Sequence, residues 1–180
     1  MNKKYIILII LLFISSLFLS APSLNGRLKV NNNSLILAKI KERNIENRVN
    51  KIKSMDFNKE LLIEYIRLVD PSLCDIPIKQ FIIETGWFSS TLFLEYNNIA
   101  GMKYPLVRQT TAIGIQLEHA SYNHWTDSVD DYIHWKNYWK FKGYDTSNYY
   151  KFLKDIGYAT SENYNNLLRS INLKLLEESV

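Results

Sequence analysis

Apolar residues in most of this chain recur at three- and four-residue spacing, the period of a helix that buries one face. Leu61, Leu62, Tyr65 and Ile66 repeat in this way behind Asn58, a residue suited to cap the first free amides, and Pro71 ends the run. A second helix is expected from about Pro77 to Thr85, with Gly86 as its stop. A third starts at Ser89 or Ser90 and ends by Tyr96-Asn97-Asn98. Thr126 reads as the N-cap of a helix carrying Val129, Tyr132, Ile133 and Trp135 or Tyr138. Another spans about Ser147 to Ile156 and stops at Gly157; the last begins at Ser161 and carries Tyr164, Leu167, Leu168, Ile171 and Leu175. Only Thr110 to Leu117 (TTAIGIQL) reads as strand, β-branched with a central glycine, and fits a small hairpin. The pattern predicts an α+β domain, mostly α, with two lobes and a cleft between them for a ligand.

The first residues follow a different rule. Lys3 and Lys4 precede an almost purely apolar run from Tyr5 to Leu19, and Ala21-Pro22-Ser23 follows with small residues. A short apolar run behind a basic start is the signature of an export signal. Residues 1–23 are therefore expected to be a signal peptide or an N-terminal anchor, through which membrane attachment is possible. The run is slightly short for a comfortable membrane span. Residues 24–54 are rich in Asn, Lys and Arg and read as a polar linker or loosely held helix, with Ile36, Leu37 and Ile40 as sparse apolar positions. The compact domain is expected over 55–176. The protein is expected to work outside the cytoplasm: periplasmic, membrane-anchored or extracellular.

Composition narrows the partners. The 180 residues are 47% hydrophobic and 22% charged, a globular balance. The net charge of +4, with a pI near 9.0, favours an anionic partner such as a cell wall or membrane surface. The chain carries no basic cluster or nucleic-acid motif, so nucleic acid is not an expected partner. Cys74 is the single cysteine and there are three histidines, which excludes an intrachain disulfide and argues against structural zinc. Cys74 is expected to be a small buried residue. No metal or organic cofactor is implied, and the expected state is a monomer.

The candidate chemistry centres on Glu84. A glutamate in the last turn of a helix opposes the macrodipole. Phe81, Ile82 and Ile83 precede it and Trp87 follows, so partial burial would favour the neutral acid and raise its pKa. Such an acid can donate a proton to a glycosidic leaving oxygen. Composition and spacing alone also allow a solvated carboxylate at a helix end.

Glu84-Thr85-Gly86-Trp87, then Ser89, then Asn97-Asn98-Ile99-Ala100-Gly101-Met102-Lys103 resembles the glucosaminidase domain of glycoside hydrolase family 73. Two further blocks resemble it in the right order: Tyr122-Asn123-His124-Trp125-Thr126-Asp127-Ser128-Val129 with Asp131-Tyr132, and Tyr158-Ala159 followed by Tyr164 and Leu167-Leu168. The resemblance spans about Pro77 to Ile171. It implies a lysozyme-like fold and hydrolysis of the β-1,4 bond after N-acetylglucosamine in peptidoglycan glycan strands. It also implies Glu84 as general acid, Tyr122 as a cleft tyrosine steadying the reacting sugar, and Asn97, Asn98 and Gly101 as the loop after the acid helix. Tyr104 and Trp125 are candidates for stacking on sugars or for the core. Tyr132, Tyr158 and Tyr164 are expected in the core, and Asp127, Asp130 and Asp131 as first-turn acids of a helix. Trp87 is expected to shape the acid's surroundings.

Glycosidases commonly use two carboxylates. In many members of the family the second lies on the hairpin in a T-x-E-like context, where this chain has Thr110-Thr111-Ala112. Glu118 is the nearest acid and is a candidate general base; otherwise the substrate's own acetamido oxygen serves. Two other readings remain open, a cell-wall glycan-binding protein without activity and a lytic transglycosylase.

Overall fold

The computed structural model describes residues 32–73, 75–159 and 163–173. The expected leader at 1–23, Cys74, Ser161 and Leu175 lie outside the described residues. The chain divides into two compact units, Met1–Ile40 and Lys41–Val180. Described residues of the first belong to the opening turns of α1 (Asn32–Ile52), where Leu35, Ile36, Leu37 and Ile40 are exposed. The second unit carries the end of α1, then α2 (Lys59–Val69), α3 (Ile76–Glu84), α4 (Thr91–Tyr96), β1 (Gly114–Gln116), β2 (His119–Ser121), α5 (Trp125–Phe141), α6 (Tyr149–Asp155) and α7 (Tyr164–Ser170). This is the mostly helical α+β class that the pattern predicts. The stretch expected as a polar linker or loosely held helix holds a helix over 32–52, and its last turns place Val49 and Ile52 in the core.

Local chemistry sets most of the boundaries. Asn58 has extended backbone and accepts from the amides of Glu60 and Leu61 at 2.8 and 3.3 Å, which starts α2. Ser90 starts α4 in the same way, and Asn148 starts α6. At α5 the cap is His124 rather than Thr126. Its Nδ1 accepts the Thr126 amide at 3.3 Å, while Nε2–H donates to the Met55 carbonyl at 2.9 Å. Thr126 lies inside the first turn, fully buried.

The strand is shorter than expected. Regular pairing joins Gly114 to Ser121, Ile115 to Ala120 and Gln116 to His119. Leu117 and Glu118 form a tight turn with φ of 48° and 62°. Upstream, Thr111 Oγ1 donates to the Asp127 carbonyl at 2.5 Å, so the threonines brace α5 instead of extending β1.

Aromatic rings fill much of the core. The Phe57 ring meets Phe93, Phe88 and Trp125 at centroid distances of 4.7, 5.0 and 5.7 Å, and Phe81 meets Tyr132 edge-on at 5.0 Å. Such pairs contribute about 0.5–1.5 kcal/mol each beyond their buried area. Trp125 is 2% exposed and its indole N–H donates to the Met55 carbonyl at 3.1 Å.

Residues 101–113 have no regular structure and are held by side chains. Asn98 is buried; its amide donates to the carbonyls of Met102 (2.9 Å) and Ala120 (2.7 Å), and its oxygen accepts the Met102 amide (3.0 Å). Arg108 forms a bidentate ion pair with the fully buried Asp131 at 2.7 and 2.9 Å, and Tyr122 Oη donates to the same carboxylate at 2.9 Å. Burial alone would push the Asp131 carboxyl up, but Arg108, with Thr110 and Tyr122, holds it below the usual range. A depressed carboxyl stabilises the fold above its unfolded pKa, and that contribution is lost as pH falls through the folded value. Arg108→Ala leaves a buried charge alone and should lower the unfolding free energy by about 3–5 kcal/mol at neutral pH. Urea melts of both proteins at neutral and acidic pH check this: the gap should be wide at neutral pH and narrow in acid, and equal midpoints at neutral pH would exclude the pair as a brace.

Candidate active site

Glu84 is the last residue of α3. Phe81 and Ile82 are buried in the core and fix the rotation of the helix. The chain then turns through three residues of left-handed backbone, Gly86 (φ 54°), Trp87 (φ 62°) and Phe88 (φ 64°). For residues with side chains this costs roughly 1–2 kcal/mol each. Thr85 holds the turn: its hydroxyl donates to the Phe81 carbonyl at 2.6 Å and accepts the Phe88 amide at 2.8 Å. The Phe88 ring anchors the far end against Phe57. Trp87, expected to shape the acid's surroundings, is instead 53% exposed.

What surrounds the carboxyl comes from elsewhere in the chain. Gly101 lies against it with φ of 60°, and a Cβ there would stand 3.0 Å from Glu84 Oε2. Both the backbone and the contact confine this position to glycine. From the other side Tyr164 Oη donates to Glu84 Oε1 at 3.0 Å, and the Tyr158 hydroxyl is directed at the same group. Burial pushes the Glu84 carboxyl up; the two phenols and the charge of His119 pull it down without cancelling that effect. Glu84 therefore keeps its proton to a higher pH than an ordinary glutamate.

The carboxyl opens onto a cleft of about 440 Å³. Lys103, Tyr104, Trp135, Trp139 and Tyr158 are among its lining residues. Trp135 and Trp139 stand one turn apart on α5, about 6 Å along the axis, and supply an aromatic wall suited to sugar rings. Among the described residues, no cluster of three His, Cys, Asp or Glu side chains could hold a metal ion.

Of the residues singled out from the sequence, Glu84, Gly101 and Tyr104 line the cleft together. Trp125 does not stack on a ligand, because it is enclosed in the core. Asn97 ends α4 in left-handed conformation (φ 56°) and donates to the carbonyls of Tyr122 and Asn123 at 3.2 Å each; its side-chain amide, like that of Asn98, bonds backbone carbonyls. Tyr122 is 3% exposed with its hydroxyl committed to Asp131, so it braces the ion pair rather than facing a sugar. Glu118 projects from the hairpin turn with its side chain 92% exposed.

The sequence places Tyr158 and Tyr164 in the core, against which both do pack, and Asp131 in the first turn of a helix. The structure puts the tyrosines on the acid and Asp131 in a buried ion pair. Their spacing carries no sign of this, since Tyr164 meets Glu84 across 80 positions of chain. The lining role of Trp135 had a weak sequence signal, an aromatic one turn before another on a single helix.

A carboxyl with its pKa raised by burial, at the edge of an open, aromatic-walled cleft, suits the cleavage of a glycosidic bond. The family model described as Glucosaminidase, mannosyl-glycoprotein endo-beta-N-acetylglucosaminidase, matches residues 69–176, more than half of the chain, and the chain belongs to this family. It is thus a glycoside hydrolase domain with a glycan substrate. No curated protein and no solved structure matches it. The matched span runs from the last residue of α2 through α7 and contains every cleft residue named above.

Since Tyr164 donates to the carboxylate form of Glu84, removing its hydroxyl should raise the glutamate's pKa further. Tyr164→Phe should therefore move the alkaline limb of the pH–kcat/KM profile to higher pH, and a limb that stays put or moves down would remove Tyr164 from the acid's environment.

Proposed function

We propose that this chain is an exported peptidoglycan hydrolase that cleaves the β-1,4 bond after N-acetylglucosamine, with Glu84 as general acid. The observation that carries this reading is the setting of Glu84: its pKa raised by burial, its carboxyl bonded by Tyr164 and open to the cleft. The family match supports the glycan substrate. The basic start and apolar run at residues 3–19 support export.

In this reading the glycan strand lies along the cleft against Trp135, Trp139 and Tyr104. Glu84 gives its proton to the glycosidic oxygen as the bond to the anomeric carbon breaks. The sugar's own acetamido oxygen bonds to that carbon and holds the developing positive charge in a cyclic intermediate. Water opens this ring, and the Glu84 carboxylate takes the water's proton, which restores the acid. One protein carboxyl suffices for this sequence, in keeping with Ala112 on the hairpin approach and with Glu118 exposed at the turn. A lytic transglycosylase also needs one acid, but its product is an anhydro sugar lighter by one water.

Zymography on purified cell walls with wild type and Glu84→Gln tests the acid. Clearing by the wild type alone is expected, with mass spectrometry showing reducing N-acetylglucosamine ends; equal clearing by both proteins would sink the assignment. Glu118→Gln decides the second group. A loss of kcat under about twofold is expected if the acetamido oxygen assists, whereas a loss of tenfold or more, about 1.4 kcal/mol of barrier, would make Glu118 the base.

A further inference from the structure

Two cations line the cleft, Lys103 and Arg108. They differ in what they have left to offer. The Arg108 side chain is 6% exposed and its guanidinium is committed to Asp131. The Lys103 side chain is 63% exposed, and its one ion-pair contact among the described residues is Glu118 Oε2 at 4.0 Å. That contact is long, and both groups are in water, so it contributes little.

The backbone beneath Lys103 is, by contrast, tightly placed. Asn98 bonds both the amide and the carbonyl of Met102, and the Ala120 amide donates to the same carbonyl at 2.9 Å. Two residues before Lys103, Gly101 touches the Glu84 carboxyl. The side chain thus starts from a fixed stretch of backbone beside the acid, and its ammonium lies 4.0 Å from Glu118 at the hairpin turn. A hydrated cation on a fixed stretch of backbone, with a weak resident carboxylate partner, is ready to exchange it for a carboxylate on the substrate.

Resting on the peptidoglycan reading above, we propose that Lys103 recognises a carboxylate carried by the glycan strand and makes the cleft selective for charged over neutral N-acetylglucosamine polymers. In peptidoglycan every second sugar bears a lactyl ether whose carboxyl is either free or extended by a peptide with carboxylates of its own. A neutral chain of N-acetylglucosamine presents nothing to this ammonium. Glu118 holds the place of the substrate group when the cleft is empty of glycan.

Calorimetric binding in the Glu84→Gln background, which keeps ligands uncut, tests this with and without Lys103→Gln. Three ligands serve: neutral N-acetylglucosamine oligomers, peptide-free peptidoglycan strands with free lactyl carboxyls, and strands with intact peptides. Lys103→Gln should weaken binding of the charged strands by about tenfold, the size of one hydrogen bond to a charged group, and change the neutral oligomers by less than twofold. Lys103→Arg should retain most of the affinity, and the difference should shrink with added salt. A loss on peptide-free strands assigns the lactyl carboxyl, and a loss confined to peptide-bearing strands assigns the peptide. The proposal is overturned by equal losses on charged and neutral ligands, by no loss on either, or by a Lys103 protein that binds charged strands no more tightly than neutral ones. Because binding is read rather than turnover, failure of Glu84 as the acid shows separately, in the zymogram.

Discussion

A guanidinium and a carboxylate, both withdrawn from water, hold one wall of the cleft. Burying each ion costs several kcal/mol, and attraction compensates only when the geometry is good and the remaining lone pairs are bonded. The Arg108–Asp131 pair meets both conditions, with two parallel bonds and the Tyr122 hydroxyl on the carboxylate. Its effect is spatial. Residues 101–113 contain no helix or strand, yet Gly101 must touch Glu84 and Lys103 and Tyr104 must face the opening. The ion pair fixes this segment to α5 at one point, Thr111 at a second, and Asn98 fixes its start to the hairpin. Side chains here do for a loop what a ladder of backbone bonds does for a sheet.

The helices were legible because their causes are local. Asn58 and Ser90 announce their caps, Gly86 its stop, and the apolar spacing of α2 its buried face. The hairpin was half legible. Its β-branched residues mark a strand, but the turn uses Leu117 and Glu118 in left-handed backbone, where Asn-Gly would be the recognisable choice. Trp125 and Tyr122 show a different limit. A pattern records that a residue is large and aromatic, not whether its ring is enclosed, and their hydrogen bonds to Met55 and Asp131 follow from where the backbone passes.

The acid itself shows both sides of this. Its position after Phe81-Ile82-Ile83 gave a sound reason to expect burial, and Glu84 is indeed shielded. The source of that shielding differs. Trp87, three residues on in the sequence, points to solvent because the left-handed turn carries it outward. Gly101, Tyr158 and Tyr164 shield the carboxyl instead. Local sequence set where the acid stands, and distant sequence set how tightly it holds its proton.

That division has a consequence in time. A chain emerging from its N-terminus contains Glu84 long before it contains Tyr158 and Tyr164, and α7 packs against α3 only once residues 164–170 are present. Until then the carboxyl is an ordinary glutamate in water, ionised near neutrality. The raised pKa belongs to the finished fold alone, so a nascent or partly unfolded chain carries the acid's side chain without the surroundings that tune it. Docking of α7 against α3 is in this sense the arming step of the domain.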